Sequence, residues 1–98
     1  MKVFVSYTLK DCELSIELLK KIKNYYDSYK INLYIDCLVN ESSQEKIEYE
    51  LKTSSRLLLI LTKHTYNSEW VRKELMLAKK NNIPIIKAKL DEIFLVRF

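Results

Sequence analysis

The sequence RLLLILT at residues 56–62 is the most continuous apolar run in the chain. Its five central residues are all leucine or isoleucine, so an extended chain there has no polar face. A short run of this kind is typical of a central strand in a parallel sheet, where helices cover both faces. Parallel neighbours require crossovers of a dozen or more residues, which are usually helices. We therefore expect strands and helices to alternate on both sides of this run.

Three further stretches have the composition of strands. They read KVFVSY at residues 2–7, INLYI at 31–35 and IPII at 83–86, and the last is predicted to extend to Lys89. β-Branched and aromatic residues dominate all three, and Pro84 lies near the start of its strand, where a missing N–H is tolerated. Together with residues 56–62, these stretches predict four strands.

The segments between the strands carry apolar residues every three or four positions, which predicts three amphipathic helices. Capping residues indicate where each helix begins: Asp11 before the first, the S-x-x-E box of Ser42 and Glu45 before the second, and Asn67 or Ser68 before the third. The predicted buried stripes are Leu14, Leu18, Ile22 and Tyr25; Ile47 and Leu51; and Val71, Leu75 and Ala78.

The resulting order is βαβαβαβ, which predicts an α/β fold of the flavodoxin-like type. Its doubly wound parallel sheet would have about four strands, with three or more helices on its two faces. We expect residues 1–98 to form one domain. The tail at 91–98 departs from the alternation, because only three residues separate the apolar IFLVRF from the fourth strand. The tail could be an antiparallel edge, a short helix or the stub of a truncated domain.

Composition excludes several classes of function. The chain has no glycine where average usage gives roughly seven, so it has neither a Walker A motif nor a GxGxxG loop. Its two cysteines and single histidine lack the spacing of a metal site, and no metal is expected. No apolar run approaches the roughly 18 residues of a membrane span. The net charge of +4 is spread over separate helices, so we do not expect nucleic acid as a partner. We expect a cytoplasmic protein.

Ligands of doubly wound sheets bind beyond the carboxyl ends of the strands. The predicted rim at that edge combines the residues that follow the first three strands with the start of the third helix. These residues are Ser6, Tyr7 and Thr8; Asp36 and Cys37; Thr62, Lys63, His64 and Tyr66; and the segment from Ser68 to Glu74.

Two acidic residues of this rim are candidates for chemistry. On a helix, the residues three and four positions from Glu74 include Trp70 and no basic partner, which indicates that Glu74 is partly buried. Partial burial would raise the pKa of its carboxyl group, as at many functional sites. The alternative is a rim glutamate that reaches water or pairs with a distant residue. Asp36 follows a strand and could accept a hydrogen bond from a ribose hydroxyl, or it could form an Asx turn.

Several segments resemble Toll/interleukin-1 receptor (TIR) domains. The family's first sequence box resembles VFVSY at 3–7 followed by Asp11. Its second strand, which ends in an acidic residue, resembles LYID at 33–36, and PII at 84–86 also fits the family. RLLLILT followed by Tyr66 resembles the family's third strand and the segment after it. The sequence SEWVRKEL at 68–75 resembles the S-x-W-x-x-x-E segment of TIR enzymes. The loop CLVNESSQ at 37–44 departs from the family, because it lacks the usual glycine.

The resemblance implies an enzyme that cleaves the nicotinamide–ribose bond of NAD+, with NAD+ as a substrate and no cofactor. Glu74 would be the catalytic residue. The products would be nicotinamide and ADP-ribose or a cyclic variant, in bacterial antiviral defence or signalling. The resemblance also implies a homo-oligomer or another TIR–TIR assembly. The implied substrate-binding residues are Ser6, Tyr7, Thr8, Asp36, Ser68 and Trp70.

Two other functions remain open from the sequence. Many TIR domains only bind other TIR domains, so the chain could be a non-catalytic interaction module. A nucleoside deoxyribosyltransferase-like enzyme would use a similar fold and a nucleophilic glutamate, and would exchange bases on deoxynucleosides. The three functions differ in whether NAD+ or a deoxynucleoside is consumed and in whether Glu74 lines an open pocket.

Overall fold

The computed structural model describes residues 1–10, 12–39 and 43–98. The strands of its sheet are β1 (Lys2–Ser6), β2 (Asn32–Tyr34), β3 (Arg56–Leu61) and β4 (Ile85–Lys89). The α-helices are α1 (Ile16–Asp27), α2 (Gln44–Lys52) and α3 (Glu69–Lys80). Short 3₁₀ turns cover Asp36–Leu38, Thr65–Asn67 and Leu90–Glu92.

The four strands form one parallel sheet in the order β2-β1-β3-β4. Strand β3 pairs with β1 through Val5 and Leu58 and with β4 through Leu58 and Ile86, so the apolar run at 56–62 does lie inside the sheet. Every residue from Leu57 to Ile60 is fully buried. Burial of a leucine or isoleucine side chain contributes about 1.5–3 kcal/mol, so this strand is a major source of stability.

Helices cover both faces of the sheet, which confirms the doubly wound α/β architecture. Leu58 and Ile60 of β3 face the cluster that includes α1, whereas Leu57 and Leu59 face the cluster that includes α2 and α3. This alternation follows from the pleat of a strand, which directs successive side chains to opposite faces. All three crossovers contain a helix, as parallel connections require.

The predicted stripe of α1 was partly wrong. Leu14 and Ile22 are buried, but Leu18 is only half-buried and Tyr25 is exposed, and the helix buries Leu19 and Tyr26 instead. The reason is that α1 begins at Ile16, with the Ser15 hydroxyl accepting a hydrogen bond from the Leu18 N–H. Leu14 therefore precedes the helix, and counting helical spacing from it gives the wrong phase. The predicted cap, Asp11, lies outside the described residues.

The other helix starts were predicted with different success. Ser68 caps α3 by accepting from the Val71 N–H, as predicted. Helix α2 is capped by Ser43, which accepts from the Lys46 N–H, one residue after the predicted Ser42. Ser42 itself lies outside the described residues. Leu75 in the predicted α3 stripe is only half-buried.

The fourth strand begins two residues later than predicted. The Ile83 N–H donates to the Ala78 carbonyl at 2.9 Å, so Ile83 belongs to the turn that closes the C-terminus of α3. Pro84 has no N–H to donate, but its carbonyl accepts from Leu57 and aligns the strand that follows. Strand β4 therefore starts at Ile85.

The tail folds back across the α1 face of the sheet. It begins in the 3₁₀ turn at Leu90–Glu92, and none of residues 91–98 joins a strand, which excludes the antiparallel edge from the three alternatives for the tail. Ile93 is 1% exposed within the α1 cluster. The Tyr26 hydroxyl donates to the Ile93 carbonyl at 2.7 Å and accepts from the Val96 N–H at 3.1 Å. These contacts attach the tail to α1.

Within the described ranges, no helix is long and apolar enough to cross a bilayer.

Candidate active site

Glu74 lies in the second turn of α3 and points at the carboxyl end of β1. Its side chain is buried, with 7% of the residue exposed, and its Oε1 accepts a hydrogen bond from the Ser6 hydroxyl at 2.8 Å. Ser6 is the last residue of β1 and is fully buried. Trp70 lies one helical turn before Glu74, and its indole N–H lowers the pKa of the Glu74 carboxyl group. The Ser68 cap fixes the start of α3 and thereby the position of both side chains.

Burial raises the pKa of Glu74 from its ordinary value of 4.5 to about 8. Loss of hydration is the largest cause, because the charged carboxylate is less well solvated inside the protein. The negative charge of Asp36 raises the pKa further, while the hydrogen bonds from Ser6 and Trp70 lower it. At neutral pH Glu74 is therefore mainly a neutral carboxylic acid.

A second hydrogen-bonded pair lies across the same edge of the sheet. The Tyr7 hydroxyl donates to Oδ1 of Asp36 and accepts from the Cys37 N–H at 3.3 Å. Burial, followed by the bond to Asp36, holds the pKa of Tyr7 well above its ordinary value, so its hydroxyl remains a donor. This pair joins the end of β1 to the 3₁₀ turn after β2 and fixes the Asp36 side chain.

A cavity of about 190 Å³ brings the predicted residues together. Six of the seven predicted site residues line it, and the seventh, Ser6, contacts it through its bond to Glu74. Cys37, Thr62, Lys63, His64 and Tyr66, which the topology also assigned to this rim, do not line it. The lining residues are Tyr7, Thr8, Leu9, Asp36, Ser68, Trp70 and Glu74.

Two features of the site were missed by sequence reasoning. Leu9 supplies an apolar part of the wall, and its position directly after Tyr7 and Thr8 was the available signal. A larger groove of about 390 Å³ also lies between α2 and α3, and Trp70 and Glu74 line it as well. Only the packing of the two helices creates this groove, so no sequence motif marks it. The groove is mainly apolar, whereas the smaller cavity contains the carboxyl groups and hydroxyls.

The smaller cavity has the chemistry to hold a cationic ring attached to a sugar. Two aromatic side chains, Tyr7 and Trp70, can contact a flat cation through their ring faces. Two carboxyl groups, Asp36 and Glu74, can balance positive charge or accept hydrogen bonds from sugar hydroxyls. Across the described residues, no three metal-ligating side chains are grouped in a way that could hold a metal ion.

The protein is a parallel α/β domain with a buried glutamate at the carboxyl edge of its sheet. A model of the TIR domain family matches residues 3–97, and the chain belongs to that family. The TIR domains of the activated Roq1 resistosome, which directly recognizes the pathogen effector XopQ, share the fold with a TM-score of 0.70 at 16% sequence identity. That match covers 90% of this chain and 56% of the Roq1 chain, so this chain spans about half of that length. No curated protein matches the chain.

Proposed function

We propose that this TIR domain cleaves the bond between nicotinamide and ribose in NAD+, giving nicotinamide and ADP-ribose or a cyclic variant. The observation that carries the proposal is the placement of Glu74, a buried acid at the wall of a cavity that also contains Asp36, Tyr7 and Trp70. The family resemblance of the segment SEWVRKE at 68–74 assigns the catalytic role to the same glutamate.

The reaction suits a site with carboxylates and no strong acid. The nicotinamide ring of NAD+ is already cationic, and when the C–N bond breaks its electron pair neutralises the ring nitrogen. The ribose carbon then carries positive charge, as in glycoside cleavage, and the Glu74 carboxylate stabilises that charge. Water adds to the ribose carbon and releases one proton to solvent, which balances the hydrolysis. An internal hydroxyl in place of water would give a cyclic product.

Substrate binding itself would produce the active form of Glu74. The pKa of Glu74 is about 8 in the protein alone, but a cationic ring nearby favours the charged carboxylate and lowers that pKa. The proton of Glu74 would leave when NAD+ enters. Until a cation binds, a neutral Glu74 avoids placing a second negative charge near that of Asp36.

The first test is NAD+ consumption by the purified protein and by Glu74→Gln, with chromatography of the products. Glu74→Gln keeps the size of the side chain and an oxygen that can accept from Ser6, so its fold should persist while turnover falls by about 10³-fold or more. Glu69→Gln is the matched control, because Glu69 is exposed on the same helix and does not line the cavity. Equal turnover by wild type and Glu74→Gln would overturn the catalytic assignment.

The proposed enzyme would act as a homo-oligomer or another TIR–TIR assembly on cytoplasmic NAD+. Its effect would be depletion of NAD+ or formation of a nucleotide signal, as in bacterial antiviral defence. The occurrence of the Roq1 TIR domains in an activated resistosome supports an assembled form. The binding of Tyr7, Thr8, Asp36, Ser68 and Trp70 to substrate is part of the same proposal.

A non-catalytic interaction module is the second candidate, and the burial of Glu74 favours it. A glutamate that is 7% exposed and bonded to Ser6 could serve only to join α3 to β1. In that case the wild type consumes no NAD+ at any protein concentration, while Glu74→Gln still binds its partner. Base exchange on deoxynucleosides without NAD+ loss would instead identify a deoxyribosyltransferase-like enzyme.

A further inference from the structure

The cavity that holds Glu74 is too small for a whole dinucleotide. Its volume is about 190 Å³, whereas pockets for drug-sized ligands are roughly 300–1,000 Å³ and NAD+ is larger than most such ligands. Because Glu74 must reach the bond between nicotinamide and ribose, the cavity would take the nicotinamide half. The adenosine half must therefore lie outside it.

The groove between α2 and α3 adjoins this cavity. Trp70 and Glu74 line both spaces, so the two meet at the first two turns of α3. The groove has a volume of about 390 Å³ and follows α3 from Trp70 to Lys80, which is about 15 Å along the helix. The two spaces therefore share a wall formed by these two side chains.

The lining of the groove matches an adenine nucleotide. Most of the surface of the groove is apolar, so a flat aromatic base can be buried there. Gln44 can form paired hydrogen bonds with an adenine edge, and the Glu48 carboxylate can accept from the adenine amino group. The residues that line the groove are Gln44, Ile47, Glu48, Leu51, Trp70, Lys73, Glu74, Met76, Leu77 and Lys80.

Positive charge lies along the α3 side of the groove. Lys73 and Lys80 are both on α3, two turns or about 10 Å apart on one face, and both line the groove. The groove thus has two lysines against the Glu48 carboxylate, and burial raises the pKa of Glu74, its other acidic residue, to about 8. A lysine ammonium acts on a phosphate as a point charge, which tolerates a flexible diphosphate.

We propose that the α2–α3 groove is a second subsite, which binds the adenosine diphosphate half of NAD+ while the nicotinamide half occupies the cavity at Glu74. This inference rests on the proposed function for its substrate. Trp70, at the junction, would contact both halves. The groove would then determine affinity for the dinucleotide, and Glu74 would determine the rate of bond cleavage.

Binding of ADP tests the subsite without requiring turnover. ADP titrated into the isotope-labelled protein should shift the NMR signals of Ile47, Met76 and Leu77. Lys80→Glu should weaken ADP binding by about tenfold, the effect of roughly 1.4 kcal/mol, because it replaces attraction with repulsion. Lys79→Glu is the control, since it makes the same charge change at the neighbouring exposed position outside the groove. Shifts confined to other surfaces, or none at millimolar ADP, would overturn the inference.

Kinetics separates this inference from the proposed function. Lys80→Glu and Met76→Glu should raise KM for NAD+ by about tenfold with little change in kcat. Cleavage of nicotinamide mononucleotide, which lacks adenosine, should be affected much less. Equal effects on both substrates would contradict the subsite while leaving the enzyme assignment intact. If the wild type consumes no NAD+ but ADP binds the groove, the proposed function fails and the nucleotide subsite stands.

Discussion

Glu74 combines two properties that oppose each other, a position suited to chemistry and a burial that disfavours its charge. Its pKa of about 8 in the folded protein lies above the value of about 4.5 expected for an unfolded chain. Between those pH values the folded state binds a proton that the unfolded state has released. Stability therefore declines as pH rises through this range, and is greatest, with respect to this group, below about pH 4.5.

Glu74→Gln should remove that loss of stability. Each unit of pKa difference corresponds to about 1.4 kcal/mol, so the variant should exceed the wild type by about 3–5 kcal/mol at pH 8 and by little near pH 4.5. Chemical denaturation at several pH values measures the difference. Glu48→Gln makes the same chemical change at a half-buried glutamate of α2 and serves as the control. A gap between wild type and Glu74→Gln that is independent of pH would contradict the raised pKa.

The pH dependence of catalysis provides a second prediction at the scale of single residues. If the carboxylate form of Glu74 is the active form, kcat/KM for NAD+ should rise with pH and level off above about pH 8, because this ratio reports the free enzyme. The midpoint for kcat should lie lower, since the bound cation favours the carboxylate.

Two variants should move that midpoint in opposite directions. Ser6→Ala removes a hydrogen bond that lowers the pKa of Glu74, so the midpoint of kcat/KM should rise. Asp36→Asn removes a negative charge that raises it, so the midpoint should fall. The midpoint is the informative readout, because both changes can also reduce the rate. A shift in the same direction for both variants would show that another group controls the profile.

The grouping of the candidate site residues at one edge of the sheet was predictable from the sequence, but the contacts among them were not. Strand-end position and the SEWVRKE segment selected Tyr7, Asp36, Trp70 and Glu74, and the structure places all four around one cavity. The bond from Ser6 to Glu74 joins residues 68 positions apart, so it depends on how α3 lies against the sheet. The partial burial of Glu74 could be predicted from its apolar neighbours in the sequence. The effect of the Asp36 charge on the pKa of Glu74 could not, because only the folded chain brings the two residues together.

At the scale of elements, the apolar patterns were stronger signals than the capping residues. The strand at 56–62 and the order of strands and helices followed from apolar runs, which tertiary packing reinforces. Helix starts were less certain, because several adjacent residues can cap. Ser15 and Ser43 cap α1 and α2, although Asp11 and Ser42 had equally suitable side chains. The exact cap depends on where the chain leaves the sheet, and the sequence does not encode that locally.

The absence of glycine has a consequence at the ends of the helices. Lys30, just beyond α1, has φ of 61°, and Asn82, just beyond α3, has φ of 56°. Both lie in the left-handed region, which costs most residues about 1–2 kcal/mol and which glycine adopts readily. Asparagine tolerates this region better than lysine, so the conformational cost should be larger at Lys30.

Lys30→Gly should therefore stabilise the protein. We expect a gain of about 0.5–1 kcal/mol, since relief of the left-handed conformation exceeds the added flexibility of the unfolded chain. Lys20→Gly, at an exposed position inside α1, is the matched control and should lower stability by about 1 kcal/mol. The free energy of unfolding from denaturant titration measures both. A loss of stability in Lys30→Gly would mean that the lysine side chain stabilises this turn more than its backbone conformation costs.

At the scale of the whole molecule, charge and exposed apolar surface have opposite effects on association. Each copy carries a net charge of +4, so two copies repel each other at low ionic strength. Tyr29, Met76 and Leu95 are large apolar residues with more than half of their surface exposed, and association could bury such side chains. Salt reduces the Debye length to about 10 Å at 0.1 M, so it screens the repulsion and should promote self-association.

If the active form is an assembly, NAD+ turnover per molecule should increase with protein concentration. Sedimentation velocity should show larger species over the same range, and a change from low salt to about 0.1 M should strengthen them. Glu74→Gln offers a further test, because an inactive copy can still supply an assembly surface. Its addition to dilute wild type should raise the turnover of each wild-type molecule. Constant turnover per molecule across concentrations, with no effect of the inactive variant, would identify a monomeric enzyme instead.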